Sequence, residues 1–270
     1  MSAMKSIWRL DQWEREKHKD QISPEKMAHF GYRKVPEDEK VKWVMSHFNT
    51  VARKYDLMNT LLSFGIHHLW KRVAVKILKL HAGDWVIDVC GGTGDLSILA
   101  AHAVGASGRV VLYDINREMM EVGRPKVAKS PHAQRITYVQ GNAEQISFAD
   151  QRFDAAMVGF GIRNLTHMKE GLKEIHRVLK PGGKLMCLEF SKPTAPLFRW
   201  LYDMYSFHIM PYLGGLIVGS KEAYTYLPES IRLFSLPDEL STILENSGFS
   251  QVTYRKLTNG IAVIHLAKKG

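Results

Sequence analysis

Cysteine is scarce: Cys90 and Cys187 are the only two in 270 residues. They stand too far apart for a C-x-x-C site, and each lies in an apolar run that reads as a strand. That points to two small buried hydrophobes in a reducing cytoplasmic setting rather than to a disulfide or a metal site. Long apolar runs are missing as well. The longest weakly polar stretch, IMPYLGGLIVG, is far short of a bilayer span and carries Pro211 and paired glycines. The first residues, MSAMKSIWRLDQWEREKHKD, have no apolar core of signal-peptide length, and their acids argue against a transit peptide. The expectation is a chain that crosses no membrane. Internal repeats and low-complexity tracts are absent. Acids are outnumbered, 27 against 37 Lys and Arg, for a net charge of +10. A positive field suits nucleic acid, an anionic membrane surface or an anionic substrate alike. The basic residues are dispersed rather than clustered on one element, which disfavours nucleic acid.

What is present describes an ordinary globular chain, 45% hydrophobic and 24% charged, long enough for one good-sized core. Residues 1–36 read as a solvated leader of mixed charge, with Trp8 and Trp13 as anchors of an alternative interfacial helix. Residues 37–270 read as a single domain. It opens with a helical cap over 37–80, in which Gly65 marks a break. Strands and helices then alternate: WVIDVC, a helix from about Asp95, RVVLYDI, a helix after Asn116, RITYVQ, FDAAMVGF, a helix near Lys169 to Leu179, and KLMCLEF. This pattern predicts an α/β fold with a doubly wound, mainly parallel sheet and ligands at the carboxyl ends of its strands. Residues 194–234 interrupt the rhythm and read as an inserted lid. VTYRKL and IAVIHLAK, joined by Asn259-Gly260, predict an edge hairpin.

The stretch VIDVCGGTGDLS, Val86 to Ser97, sits where a buried strand turns into a helix, and its glycines allow backbone to approach a ligand closely. It does not follow the dinucleotide pattern G-x-G-x-x-G. Asp88 and Asp95 bracket it, and carboxylates there would repel a pyrophosphate. They suit a cationic ligand, and S-adenosylmethionine carries both an ammonium and a sulfonium. Gly91 and Asp88 are therefore candidate cofactor contacts. Asp114 ends the next strand about 20 residues beyond Gly94, the interval at which an acid meets ribose hydroxyls in such folds. Asn142 and Ala143, after the third strand, fall at the crevice and could meet the adenine edge. Taken singly, each of these also reads as a tight turn or a helix cap.

At this point the sequence resembles the class I methyltransferases and, within them, the ubiquinone/menaquinone biosynthesis C-methyltransferases. YDLMNTLLSFGIHHLW (Tyr55 to Trp70) and RVLKPGGKLMCLEFS (Arg177 to Ser191) carry the match, with FGIRN (Phe160 to Asn164) and YSFHIMP (Tyr205 to Pro211) as further similar segments. The resemblance spans roughly His29 to Leu266. It implies S-adenosylmethionine as methyl donor, with Thr93, Asp114, Asn142 and Ala143 as contacts. It also implies a polyprenylated benzoquinol or naphthoquinol, methylated on a ring carbon without a metal. One departure stands out: Gly159 occupies a position where many members carry serine.

Such a reaction needs alignment of carbon, methyl and sulfur and a route for a proton. Arg163 and Asn164 follow the fourth strand at the crevice. Arg163 is the candidate for stabilising a developing phenolate, with a surface salt bridge as its alternative. His208 titrates near neutrality and is a candidate base, a packed histidine being the alternative. Trp70 reads as core, and Tyr55, Asp56 and Asn59 as lining a pocket mouth. Glu189 reads as a partner to an arginine or lysine. The aromatic residues of 194–234 read as a cover for the acceptor. The prenyl tail and positive charge suggest peripheral contact with the inner face of the cell membrane. Self-association is left open. The rival readings are a nucleic-acid methyltransferase, for which the N/D-P-P-aromatic tetrapeptide is missing after the fourth strand, and a non-catalytic partner of the same fold in a quinone-synthesis assembly.

Overall fold

The runs WVIDV and DAAMV are apolar at successive residues, so both faces of their strands must be covered. The structure, a computed structural model describing residues 26–270, covers them with helices on each side. Trp8 and Trp13 lie outside the described residues. In chain order the described elements begin with β1 (Met27–Phe30), β2 (Arg33–Pro36), α1 (Lys40–Val51), a 3-10 turn (Ala52–Lys54), α2 (Tyr55–Leu62) and α3 (Ile66–Leu78). The alternating part follows: β3 (Trp85–Val89), α4 (Asp95–Ala103), β4 (Arg109–Asp114), α5 (Arg117–Ala128), β5 (Ile136–Gln140), β6 (Phe153–Gly159), α6 (Met168–Val178) and β7 (Leu179–Phe190). Then come α7 (Pro196–Met204), a π turn (Tyr205–Ile209), α8 (Met210–Val218), α9 (Lys221–Leu233), α10 (Pro237–Asn246), β8 (Phe249–Leu257) and β9 (Ala262–Lys269).

The seven-stranded sheet has the order β5-β4-β3-β6-β7-β9-β8. Its first five members are parallel, and β9 runs antiparallel between β7 and β8. Because side chains alternate across a pleat, Val86 faces one layer, with Trp70 and Ala74 of α3 and Leu96 of α4. Ile87 faces the other, with Leu172 of α6 and Leu240 of α10. The chain winds outward from β3 in one direction and from β6 in the other. The switch point, and with it the ligand crevice, lies between the carboxyl ends of β3 and β6.

Two sequence expectations change. Residues 27–36, assigned to the leader, form the β1–β2 hairpin, turned at Gly31 with φ 58°. Phe30 stacks on Tyr226 of α9 at 4.2 Å, and the Tyr32 N–H donates to Glu229. An aromatic with a partner to stack on outweighs the surrounding charge. At the other end, Asn259-Gly260 lies within a four-residue connection, Thr258 to Ile261, with Asn259 at φ 53° and Gly260 at φ 90°. The cap breaks at Gly65, φ 75°, where expected.

Candidate active site

The loop after β3 turns through positive φ at Cys90, Gly92 and Gly94 before α4 begins. Gly94 would bring a Cβ to 2.9 Å from Val127, so the loop can lie this close to α5 only without side chains there. Asp114, at the end of β4, accepts hydrogen bonds from the N–H groups of Gly92 (2.8 Å) and Asn116 (2.7 Å). Asn116 in turn caps α5 by accepting from the Met119 N–H. Asp114, Asn142, Ala143, Gly159 and Asn164 line one groove with Gly92, and α1 closes over it through Val44 and Met45. As closed, the groove holds about 90 Å³. Burial pushes the Asp114 carboxyl up to about 6 against the pull of its N–H donors.

Three expected cofactor contacts lie elsewhere. Gly91 packs inward, where a Cβ would stand 2.9 Å from Leu112, and Gly92 takes its place on the groove wall. Asp88 is fully buried and off the groove wall, with one oxygen accepting from Ser97 at 2.6 Å. Its other oxygen has no hydrogen bond among the described residues, and burial raises its pKa to about 7. Thr93 also leaves the wall: its hydroxyl donates to Asp56 (2.7 Å) and accepts from Lys126 (3.0 Å).

Lys126 of α5 is the centre of that cluster, bonded to Asp56 of α2 (2.6 Å) and Asp95 of α4 (2.5 Å), while Lys71 of α3 holds Asp95 from the other side (2.6 Å). Although burial opposes ionisation, these two ammonium groups hold the Asp95 carboxyl well below the usual carboxylate range. Asp95 therefore presents no free charge to a ligand. The acid expected to act with it at the groove reduces to Asp114. Ligand atoms of His67, His68 and Asp95 lie within 4.8 Å of one another, but Asp95 is already taken by two cations. The donor set still fits the proposed methyl donor: a carboxylate for a ribose diol, the Asn142 and Ala143 segment for a base edge, and apolar walls from Met119 and Ile115.

Phe48, Tyr55 and Phe160 border both this groove and a larger cavity of about 450 Å³. The second cavity is walled by the cap and by the inserted segment, through Trp70, Phe190, Tyr202, Tyr205, Tyr224 and Tyr226. Burial raises Tyr202 and Tyr226 to about 12 and lowers His47 to about 4, so all three are neutral at physiological pH. The cations on its wall are Arg163 and Lys71, and Lys71 is paired with Asp95.

The Arg163 side chain is only 6% exposed in its ion pair with Glu189, which removes the surface salt bridge from consideration. Its Nη1 donates to Glu189 at 2.7 Å and to the Phe160 carbonyl, and its Nε donates to Ser230 at 3.4 Å. Nη2 makes no hydrogen bond to a described residue. Glu189 is thus the arginine partner that was expected, its own pKa raised by burial against the opposing pull of that arginine. Asn164 accepts from the Tyr226 hydroxyl at 2.8 Å. Asn59 and Tyr55 line the cavity, whereas Asp56 turns to Lys126.

His208 requires correction. It is exposed and does not line the cavity. In an α-helix it would share a face with Tyr205, three residues earlier. The π turn adds a residue to that turn, so Met210 comes round beside Tyr205 and His208 points away. Sequence periodicity could not reveal that His47 of α1 meets Tyr226 of α9, or that Lys126 of α5 meets Asp56 and Asp95; their only local signal is an apolar helix face carrying a polar residue.

The fold and the paired cavities define a class first. The structure is similar to a SAM-dependent methyltransferase from Aquifex aeolicus, with TM-score 0.57 and 20% identity over 80% of this chain and 98% of that one. It is also similar to a putative methyltransferase from Bacillus halodurans, with TM-score 0.53 and 20% identity over 74% and 98%. What is shared at that identity is the fold of class I methyltransferases. The chain belongs to the ubiE/COQ5 methyltransferase family, whose model matches residues 33–269. It is 48% identical to the ubiquinone/menaquinone biosynthesis C-methyltransferase UbiE of Haemophilus ducreyi over 90% of this chain and 93% of that protein. Identity to the protein of the same name from Pseudomonas fluorescens is 46%, over 89% and 94%.

Proposed function

We propose that this chain methylates a ring carbon of a reduced, polyprenylated quinol, with S-adenosylmethionine as the donor. The names of its relatives point to ubiquinone and menaquinone synthesis, and both known ring types are electron-rich once reduced. The observation that carries the reading is Arg163: among the described residues it is the one wall cation not paired with Asp95, it lies in an aromatic cavity adjoining the groove, and with Glu189 on Nη1 its Nη2 makes no hydrogen bond to those residues.

The chemistry follows from that placement. Loss of a quinol hydroxyl proton to water pushes density onto a ring carbon, a fixed cation at the oxygen stabilises the charge as it develops, and the hydrogen on the methylated carbon then leaves to water as a proton, restoring the aromatic ring. Glu189 and the Phe160 carbonyl hold Nη1, so Nη2 is the nitrogen left for the oxygen. Tyr226 orients Asn164 at the border. Phe48, Tyr55 and Phe160 exclude water where acceptor and donor meet. When bound, the donor supplies an electrophilic methyl group on a sulfonium.

Purified protein with labelled donor should methylate reduced short-chain quinols and leave the oxidised quinones untouched. Arg163→Ala should lower kcat by roughly 100-fold with donor affinity unchanged. Donor binding without transfer to any reduced quinol would overturn the reading and favour a non-catalytic role.

A further inference from the structure

The cavity mouth opens on an unusual surface. Phe64, Phe198 and Leu201 belong both to the cavity wall and to the exposed apolar residues, Phe64 at 85% exposure. Around them the apolar surface continues. On α2, Leu57 and Leu61 are exposed; on α7, Leu197, Trp200 and Met204; on α8, Tyr212 and Leu216. Leu197 and Leu216 are each 72% exposed. Helical spacing arranges these side chains in stripes, Leu57 with Leu61 and Leu197 with Trp200 and Met204. The Lys54 ammonium bonds the Ile217 carbonyl and the Tyr205 hydroxyl donates to the Leu62 carbonyl at 2.8 Å, which tie the end of α8 and the turn after α7 to α2. Apolar patches of this extent on a soluble chain mark a place of contact.

The fully exposed charges on these helices, on α3 and on the 3-10 turn before α2 are all basic. Arg53 lies one turn before Leu57, and Arg72 and Lys76 follow Leu69 on the outer face of α3, all exposed. Neither α3 nor α8 carries an acid. The acid of α2, Asp56, is bonded to Lys126, and that of α7, Asp203, to Arg232. An apolar centre with a basic border and its acids turned to partners complements an anionic lipid surface. A second copy of this chain fits less well, because two-fold pairing would set the basic borders against each other.

We infer that the surface formed by α2, the start of α3, α7 and α8 docks on an anionic bilayer, with the cavity mouth turned toward the lipid. The inference rests on the proposed function, since a prenylated ring could then pass from the bilayer into the cavity while its tail stays in lipid. Leu197 and Leu216 act in docking only; neither lines the cavity.

Flotation with phosphatidylcholine vesicles, with and without phosphatidylglycerol, tests this on the full chain. Wild type should float with the anionic vesicles and be released by high salt. The double variant Leu197→Glu, Leu216→Glu should bind at least about tenfold more weakly. It should also lose transfer to a long-tailed quinol in vesicles while keeping transfer to a water-soluble short-chain quinol. Wild type that stays soluble with anionic vesicles, a double variant that binds as wild type does, or a lipid-indifferent dimer dissociated by the two substitutions would each overturn the docking surface. Loss of short-chain transfer by wild type itself would instead overturn the proposed function.

Discussion

Asp114 is asked to be charged where burial favours the neutral acid. Its carboxyl holds a proton up to about pH 6, against about 3.9 for a free aspartate. The folded state therefore binds this proton more tightly than the unfolded state, and the contribution of Asp114 to stability falls as pH rises from about 4 to about 6. Under the proposed function donor affinity should run the other way, because it is the carboxylate form that would accept from a ribose diol. We expect binding roughly tenfold weaker at pH 5 than at pH 7 by calorimetry, a dependence abolished by Asp114→Asn and retained in Asp88→Asn. Gly159 has its own local reason. A Cβ there would lie 2.5 Å from the Leu96 side chain, so a serine fits only if Leu96 changes rotamer. The missing hydroxyl and the position of Leu96 go together.

Among the elements, α5 has a task beyond covering the sheet. Lys126 joins α5 to Asp56 of the cap and to Asp95 at the start of α4, with Thr93 of the glycine loop between them. Three segments distant in sequence are thereby held around the loop. Because Asp95 is held below its ordinary pKa, this contribution is present above the usual carboxylate range and is lost as pH falls below it. Lys126→Met should leave the two carboxylates short of a cation and cost about 1–3 kcal/mol in denaturant unfolding. Hydrogen exchange should rise first in α2, with the strands unchanged; uniform faster exchange would show that Lys126 serves the core and not the cap.

For the whole molecule, binding at the switch point should stabilise the fold by linkage. Donor at about 100 times its Kd should add about 2.7 kcal/mol and raise the thermal midpoint by several degrees, while a nicotinamide dinucleotide leaves it unchanged. The reverse result would mean that Asp114 and the glycine loop serve a different nucleotide. No helix among the described residues is long and apolar enough to cross a membrane.

The sequence by itself determined the order of strands and helices, the break at Gly65, the turn around Gly92, the Asp114 position and the inserted segment. Each of these is a matter of neighbours: apolar period, glycine conformation, a fixed interval along the chain. Only the tertiary structure decided which acids stay available and which side chains line the cavity. Asp95 and Thr93 turned to Lys126, His208 turned outward, and Arg163 found Glu189 because those outcomes depend on segments brought together from far along the chain. A charge declares its chemistry locally, but its partner, and so its role, is chosen by packing.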